Sequence, residues 1–137
     1  MATILITGTN KGVGLELVKI YAARGDTVIA TCRDPESASA LSEVSGAVEV
    51  LGVSVGDDAS VASLAKALEG RVIDVLINNA GTSGPARDQQ TTFAMDFEGW
   101  ADAFNINSMA PVRVMQALLP NLRLSSAAKV MTVTSQM

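Results

Sequence analysis

The sequence predicts an α/β domain of three layers, a doubly wound parallel sheet with helices on both faces. Three observations carry this. Short β-branched apolar runs alternate with stretches of helical periodicity, and the first such run stops at a glycine-rich turn that opens a helix. Hydrophobic residues make up 48% of the 137 residues against 18% charged, which supplies a full core and argues against disorder. Strands spaced by helices in this way imply right-handed crossovers, which cover both faces of the sheet.

Residues 3–7 are β-branched and apolar, too short for a helix, and stop at Gly8, so they read as a first strand buried on both faces. Over residues 13–24 the apolar positions Val13, Leu17, Ile20 and Tyr21 recur at helical spacing, and Gly25 stands where a left-handed residue closes a helix. Residues 26–31 form a second apolar strand. Pro35 opens a modest helix, as proline can at a first helical position, and residues 48–53 supply a third strand. Asp57 or Asp58 caps the next helix, which carries Val61, Leu64, Ala65 and Leu68 and ends at Gly70. Residues 72–77 are a fourth strand, almost wholly apolar as a central strand should be. A long helical region over about 97–122 then leads to a fifth strand at 129–134.

Charge and composition exclude several classes. The net charge of −4 comes from scattered carboxylates, and no stripe of Lys and Arg is present to neutralise a phosphate backbone, so nucleic acid is not an expected partner. Cys32 is the single cysteine and histidine is absent, which leaves no disulfide and no Cys/His metal site; no metal is expected. The opening residues lack a basic segment followed by a long apolar stretch, and the apolar run breaks at Gly8, so neither export nor a membrane is expected and the setting reads as cytoplasmic. No repeat and no Pro/Gly/Ser-rich linker divides the chain, so residues 1–137 read as one domain.

The turn at residues 7–14 joins the first strand to the first helix, and that position gives its glycines a physical meaning. Gly8 permits the tight turn, Gly12 lets backbone N–H groups approach a pyrophosphate, and Gly14 lets the helix pack close to the sheet. The phosphates would then sit at the positive end of the helix dipole, beside Asn10, Lys11 and Val13. A P-loop is excluded, because Lys11 precedes its glycine and no Gly-Lys-Ser/Thr follows to reach a terminal phosphate.

The spacing is Gly-x-x-x-Gly-x-Gly, preceded by Thr7 and joined by Asn78, Asn79, Ala80 and Gly81 at the end of the fourth strand. In this it resembles the short-chain dehydrogenase/reductase family, in particular carbonyl-reductase-like members, over essentially the whole chain from Thr3 onward. The resemblance implies a Rossmann-type sheet of strand order 3-2-1-4-5 and a nicotinamide dinucleotide cofactor. It also implies that the 137 residues stop before the family's C-terminal strands, so that the domain reads as truncated and its fifth strand as an apolar edge.

The tip of the second strand selects between cofactors. The resemblance puts an NAD-selecting acid where Cys32 stands, and Arg33 follows with a fork suited to a phosphate. Lys11 offers a second cation, so NADP is expected over NAD. The competing reading of Arg33 is a solvated loop cation paired with Asp34 or Glu36. Where family members carry an Asp that holds the adenine amino group, Ser54 and Val55 stand here, and the serine hydroxyl can still accept a hydrogen bond.

Hydride transfer to a carbonyl needs a proton donor and orienting polar groups beside the cofactor ring. The resemblance assigns Asn107 to a proton relay at a locally opened helix, where Asn105 and Pro111 make a kink plausible, and Ser135 to the substrate carbonyl or hydroxyl, with Thr134 the competing assignment. The family's Tyr-x-x-x-Lys pair, a general acid and the lysine that lowers its pKa, lies beyond Met137, and Tyr21 stands at the wrong end of the sheet to replace it. The expectation is therefore an NADP(H)-dependent oxidoreductase of small carbonyl or alcohol substrates, inactive as the present 137 residues alone. The alternative is a non-catalytic dinucleotide-binding or interaction module that ends naturally here. By resemblance the long helix could also pair two copies into a homo-oligomer.

Overall fold

The computed structural model of the chain describes residues 1–135. Five strands, β1 (Thr3–Thr7), β2 (Thr27–Cys32), β3 (Val48–Gly52), β4 (Val75–Asn78) and β5 (Lys129–Thr132), form one sheet in the order β3-β2-β1-β4-β5. Every neighbouring pair is parallel, with Ile6 of β1 opposite Ala30 of β2 on one side and Ile77 of β4 on the other. This is the Rossmann-type order that the sequence predicts. Parallel strands need crossovers, and the helices that make them are α1 (Gly12–Ala23), α2 (Ser39–Ser42), α3 (Asp58–Ala67), α4 (Phe97–Phe104), α5 (Ala110–Ala117) and α6 (Leu119–Arg123).

Alternation along the strands divides the core in two. Ile4 and Ile6 of β1 point to one face, where they meet Val18 and Ala22 of α1 and Leu41 of α2. Leu5 points to the other, against Val61 and Leu64 of α3 and Val114 of α5. Each fully buried side chain of this size contributes about 1.5–3 kcal/mol relative to an exposed one. The sheet therefore cannot slip by one residue without turning both clusters inside out.

Several boundaries differ from the sequence reading. Helix α1 does not bury the stripe of Val13, Leu17, Ile20 and Tyr21: Val13 is 59% and Ile20 55% exposed, and the buried line is Gly14, Val18 and Ala22. Gly14 sets that rotation, because a Cβ there would run into the Gly8 carbonyl and come within 2.6 Å of Asn79 Nδ2. A residue with no side chain is invisible to a hydrophobic stripe, yet it faces inward. Strand β4 starts at Val75 rather than 72, since Val72 is exposed and the Ile73 N–H pairs with the Asn121 carbonyl instead of a strand. Strand β5 ends at Thr132, although the Val133 N–H still donates to the Asn78 carbonyl. Pro35 opens a 3-10 turn, Pro35–Ser37, and α2 follows it as a single short turn.

The long helical region is not continuous. Helix α4 passes into a π turn, Asn105–Met109, before α5, with Pro111 in the first turn of α5. A π turn is the local opening of the backbone that Asn105 and Pro111 suggested. Of the two candidate caps for α3, Asp57 is the one used: its carboxylate accepts from the Ala59 N–H at 3.0 Å. Strand β5 is exposed along its length, as expected of an edge.

Candidate functional site

A cleft of about 770 Å³ opens at the carboxyl ends of the strands. The chain builds its floor from the glycine turn. Gly8 and Gly12 sit at φ +68° and +60°, a region that side chains rarely adopt. A Cβ on Gly8 would stand 2.7 Å from the Ala80 Cα, whereas one on Gly12 would meet nothing within 4 Å. Gly8 is thus a packing necessity, while Gly12 turns a bare backbone toward open space. Lys11 begins α1 without any side-chain cap, in contrast to Asp57 on α3 and to Asp96 on α4, whose carboxylate accepts from the Gly99 N–H. The first N–H groups of a helix have no intrahelical acceptor, so this end offers donors and a positive dipole to an anion.

The turn is braced from both neighbouring strands. The Thr9 N–H and hydroxyl both donate to the Thr31 carbonyl, at 3.1 and 3.0 Å. The Thr7 hydroxyl oxygen accepts from the Asn79 and Ala80 N–H groups, each at 3.0 Å. The Asn79 side-chain amide donates back to the Thr7 and Gly8 carbonyls, at 3.2 and 3.0 Å. Asn79 therefore locks the end of β4 onto the glycine turn, so the two motifs singled out from the sequence form one hydrogen-bonded unit.

Ten of the twelve residues read as cofactor-binding line this cleft: Gly8, Asn10, Lys11 and Gly12 from the turn, Arg33 after β2, Ser54 and Val55 after β3, and Asn79, Ala80 and Gly81 after β4. Val13 points to solvent and Gly14 lies beneath the turn. The described residues make four ion pairs, Lys19–Glu16, Arg24–Asp26, Arg71–Glu49 and Arg113–Asp58, and none involves Lys11 or Arg33. Arg33 is thus not engaged by Asp34 or Glu36. Cys32 is buried beside it, and loss of solvent pushes its thiol up from the ordinary cysteine value; the Asp34 N–H opposes this in part, while the Asp34 charge adds to it.

Asn107 does not line the cleft itself. Its side chain makes a reciprocal pair with the backbone of Thr82, accepting from the Thr82 N–H and donating to the Thr82 carbonyl, both at 2.8 Å. That pair ties the π turn to the wall of the cleft. Ser135 lies exposed just past the end of β5, and Gln136 and Met137 fall outside the described residues. The sequence reading missed Thr82, Ser83, Asp102 and Ile106 on the cleft wall, and Arg113 behind it. Only Arg113 left a signal, as a charge within the otherwise apolar start of α5.

The short chain dehydrogenase family profile matches residues 2–137. The chain belongs to the short-chain dehydrogenase family. A short chain dehydrogenase of Penicillium aethiopicum, gsfK, is 37% identical over 134 residues, covering 92% of this chain and 52% of that protein. The oxidoreductase YusZ of Bacillus subtilis is 34% identical over 140 residues, covering 96% of this chain and 48% of its own length. Among solved structures, an NADPH-bound carbonyl reductase from chicken fatty liver superposes with a TM-score of 0.83 at 28% identity, covering 95% of this chain and 57% of that one. The chain spans about half the length of the relatives it matches. Among its described residues, no helix is long and apolar enough to cross a membrane.

Proposed function

We propose that these residues form the single dinucleotide-binding domain of an oxidoreductase that transfers hydride between NADP(H) and a carbonyl or alcohol. The observation that carries the reading is the uncapped, glycine-lined start of α1, which opens into one cleft with two cations that no carboxylate of the described residues pairs. The donor set fits the cofactor: backbone N–H groups and a helix dipole for a diphosphate, Lys11 and Arg33 for a ribose 2′-phosphate. Ser54 and Val55 would border the adenine, with Asn79, Ala80 and Gly81 along the opposite wall. Bound there, the nicotinamide would supply the hydride. Asn107, through Thr82, holds the cleft wall next to the π turn, and Ser135 at the end of β5 is assigned to the substrate oxygen.

The only tyrosine, Tyr21, lies on α1 near its C-terminal end, with Arg24 stacked 5.2 Å from its ring centre. Because α1 runs against the strands, that end is remote from the cleft. The present residues are accordingly proposed to hold cofactor without turning substrate over. Phe97, Trp100 and Phe104 are exposed on α4, which supports pairing of two copies through this region, and a cytoplasmic setting belongs to the same proposal.

The test is a pair of fluorescence titrations, one with NADPH and one with NADH. Tighter binding of NADPH is expected. Equal affinities would remove the roles given to Lys11 and Arg33, and no binding of either would remove the cofactor reading.

A further inference from the structure

Each of the three guanidinium nitrogens of Arg113 donates a hydrogen bond. Its Nη1 donates to the Val55 carbonyl at 3.0 Å, its Nη2 to Asn105 Oδ1 at 2.7 Å, and its Nε to the Asp58 carboxylate. Asn105 passes the connection on, with Nδ2 donating to the Gly56 carbonyl at 2.8 Å. The fit is tight, since a Cβ on Gly56 would lie 2.9 Å from that same Nδ2. The Arg113 side chain is 17% exposed while Asp58 is 88% exposed, so the carbonyl and amide bonds, rather than the ion pair, give this cluster its hold.

The contacts fall on both sides of the π turn. Asn105, at its start, grips the loop after β3 that carries Ser54 and Val55; Asn107 grips Thr82 after β4. Residues two apart on a helix face away from each other, so a single turn can hold two loops that approach from different directions. Both loops line the cleft.

We propose that Arg113 is a positioning residue that fixes the adenine-side wall of the cleft, residues 54–57, to the π turn bearing Asn107, and thereby sets affinity for the adenosine half of the cofactor. This rests on the dinucleotide reading given above. Arg113 touches nothing in the cleft and acts through Val55, Gly56 and Asn105. Its effect is therefore on a part common to NADP(H) and NAD(H), unlike that of Arg33.

The test compares the chain with Arg113→Met, Arg113→Lys, Asn105→Ala and, as a remote control, Arg71→Met. Amide hydrogen exchange without cofactor is measured at 54–57 and 79–82, and NADPH and NADH are each titrated. For Arg113→Met, exchange at 54–57 should quicken and both affinities should fall by a similar factor, on the order of tenfold. Arg113→Lys keeps the charge but not the fork, so it should fail to restore either quantity, and it decides the matter if Arg113→Met does not fold. Asn105→Ala should move the same amides, and Arg71→Met should move none. Unaltered exchange at 54–57 would overturn the clamp. A loss confined to NADPH would overturn positioning in favour of simple charge. Failure of the unsubstituted chain to bind either nucleotide would overturn the cofactor reading and this role with it, and would show before any variant is made.

Discussion

The two ends of the same sheet are finished in opposite ways. At the carboxyl ends of the strands, α1 starts without a cap, and Lys11 and Arg33 have no ion-pair partner among the described residues. At the amino ends, carboxylates close the chain off: Asp26 accepts from the Ala2 N–H at 3.2 Å, and Asp74 accepts from the Thr3 N–H at 2.8 Å and the Ser125 hydroxyl at 2.7 Å. Open donors are tolerated where water or a guest can reach them, while satisfied donors are used where only stability is at stake. The difference teaches where to look for function, because the donors left open at one end are the ones a guest could use.

The contrast is broken most severely at Gly14. Gly14→Ala drives a methyl into the Gly8 carbonyl, which cannot retreat without moving the end of β1 and Asn79. Overpacking of this kind costs about 3 kcal/mol, and the melting temperature should drop by roughly 10 °C, with dinucleotide binding lost alongside. A melting curve within a degree of the unsubstituted chain would show that the helix does not rest on the turn. Gly12→Ala is the milder counterpart: it costs about 1–2 kcal/mol for the left-handed backbone, and its methyl enters the cleft rather than the core, so binding should suffer more than stability.

Arg33→Ala sharpens the contrast at the open end. Loss of a charge-assisted contact to a 2′-phosphate is worth about 1.5–3 kcal/mol, so NADPH affinity should fall about 10- to 100-fold with NADH left nearly as it was. Parallel titrations of the variant decide this, and an equal loss for both would place Arg33 outside phosphate recognition.

At the closed end the leverage is pH. The Thr3 N–H, then the Ser125 hydroxyl and the charge of the N-terminus, hold the Asp74 carboxyl below its ordinary value, against a small opposing effect of burial. A carboxyl depressed in the folded state lends stability that is complete above the unfolded pKa, about 4, and is lost as pH falls through the folded value. Asp74→Asn should therefore lower the urea midpoint at pH 7 and flatten its decline toward pH 3. An identical decline in both proteins would assign acid sensitivity elsewhere.

The smallest effect is expected at Cys32. Burial raises its thiol pKa, so at pH 7 a thiol-directed reagent should label the folded chain far more slowly than the urea-unfolded one. Equal labelling rates would mean that the tip of β2 opens freely.

Much of the fold was legible because the strands are short apolar runs separated by helices, and a parallel sheet follows from that rhythm. What misled was mostly information that no local window contains. Val13 and Ile20 lie on the apolar stripe of α1 yet are exposed, because the face that meets the sheet is set by Gly14, whose close packing the glycine turn already indicated. Val72 looks like strand, but the neighbouring Ile73 N–H is taken by Asn121, 48 residues further along the chain. A kink between α4 and α5 was legible from Asn105 and Pro111, whereas the partners that hold Asn105 and Asn107 there lie 49 and 25 residues away. The same holds at the site: the glycine turn is a local signal and was read directly, whereas the Arg113 clamp exists only once β3, α3 and α5 have met.

The most direct check on the open end is a two-dimensional NMR titration of the labelled chain with NADPH. The amides of Asn10, Lys11, Gly12 and Val13 should shift first and furthest, followed by those of Ser54, Val55, Ala80 and Gly81, while Thr3, Asp26 and Asp74 at the far end of the sheet stay in place. Shifts that gather at the far end, or a glycine turn that does not respond at saturating nucleotide, would contradict the account.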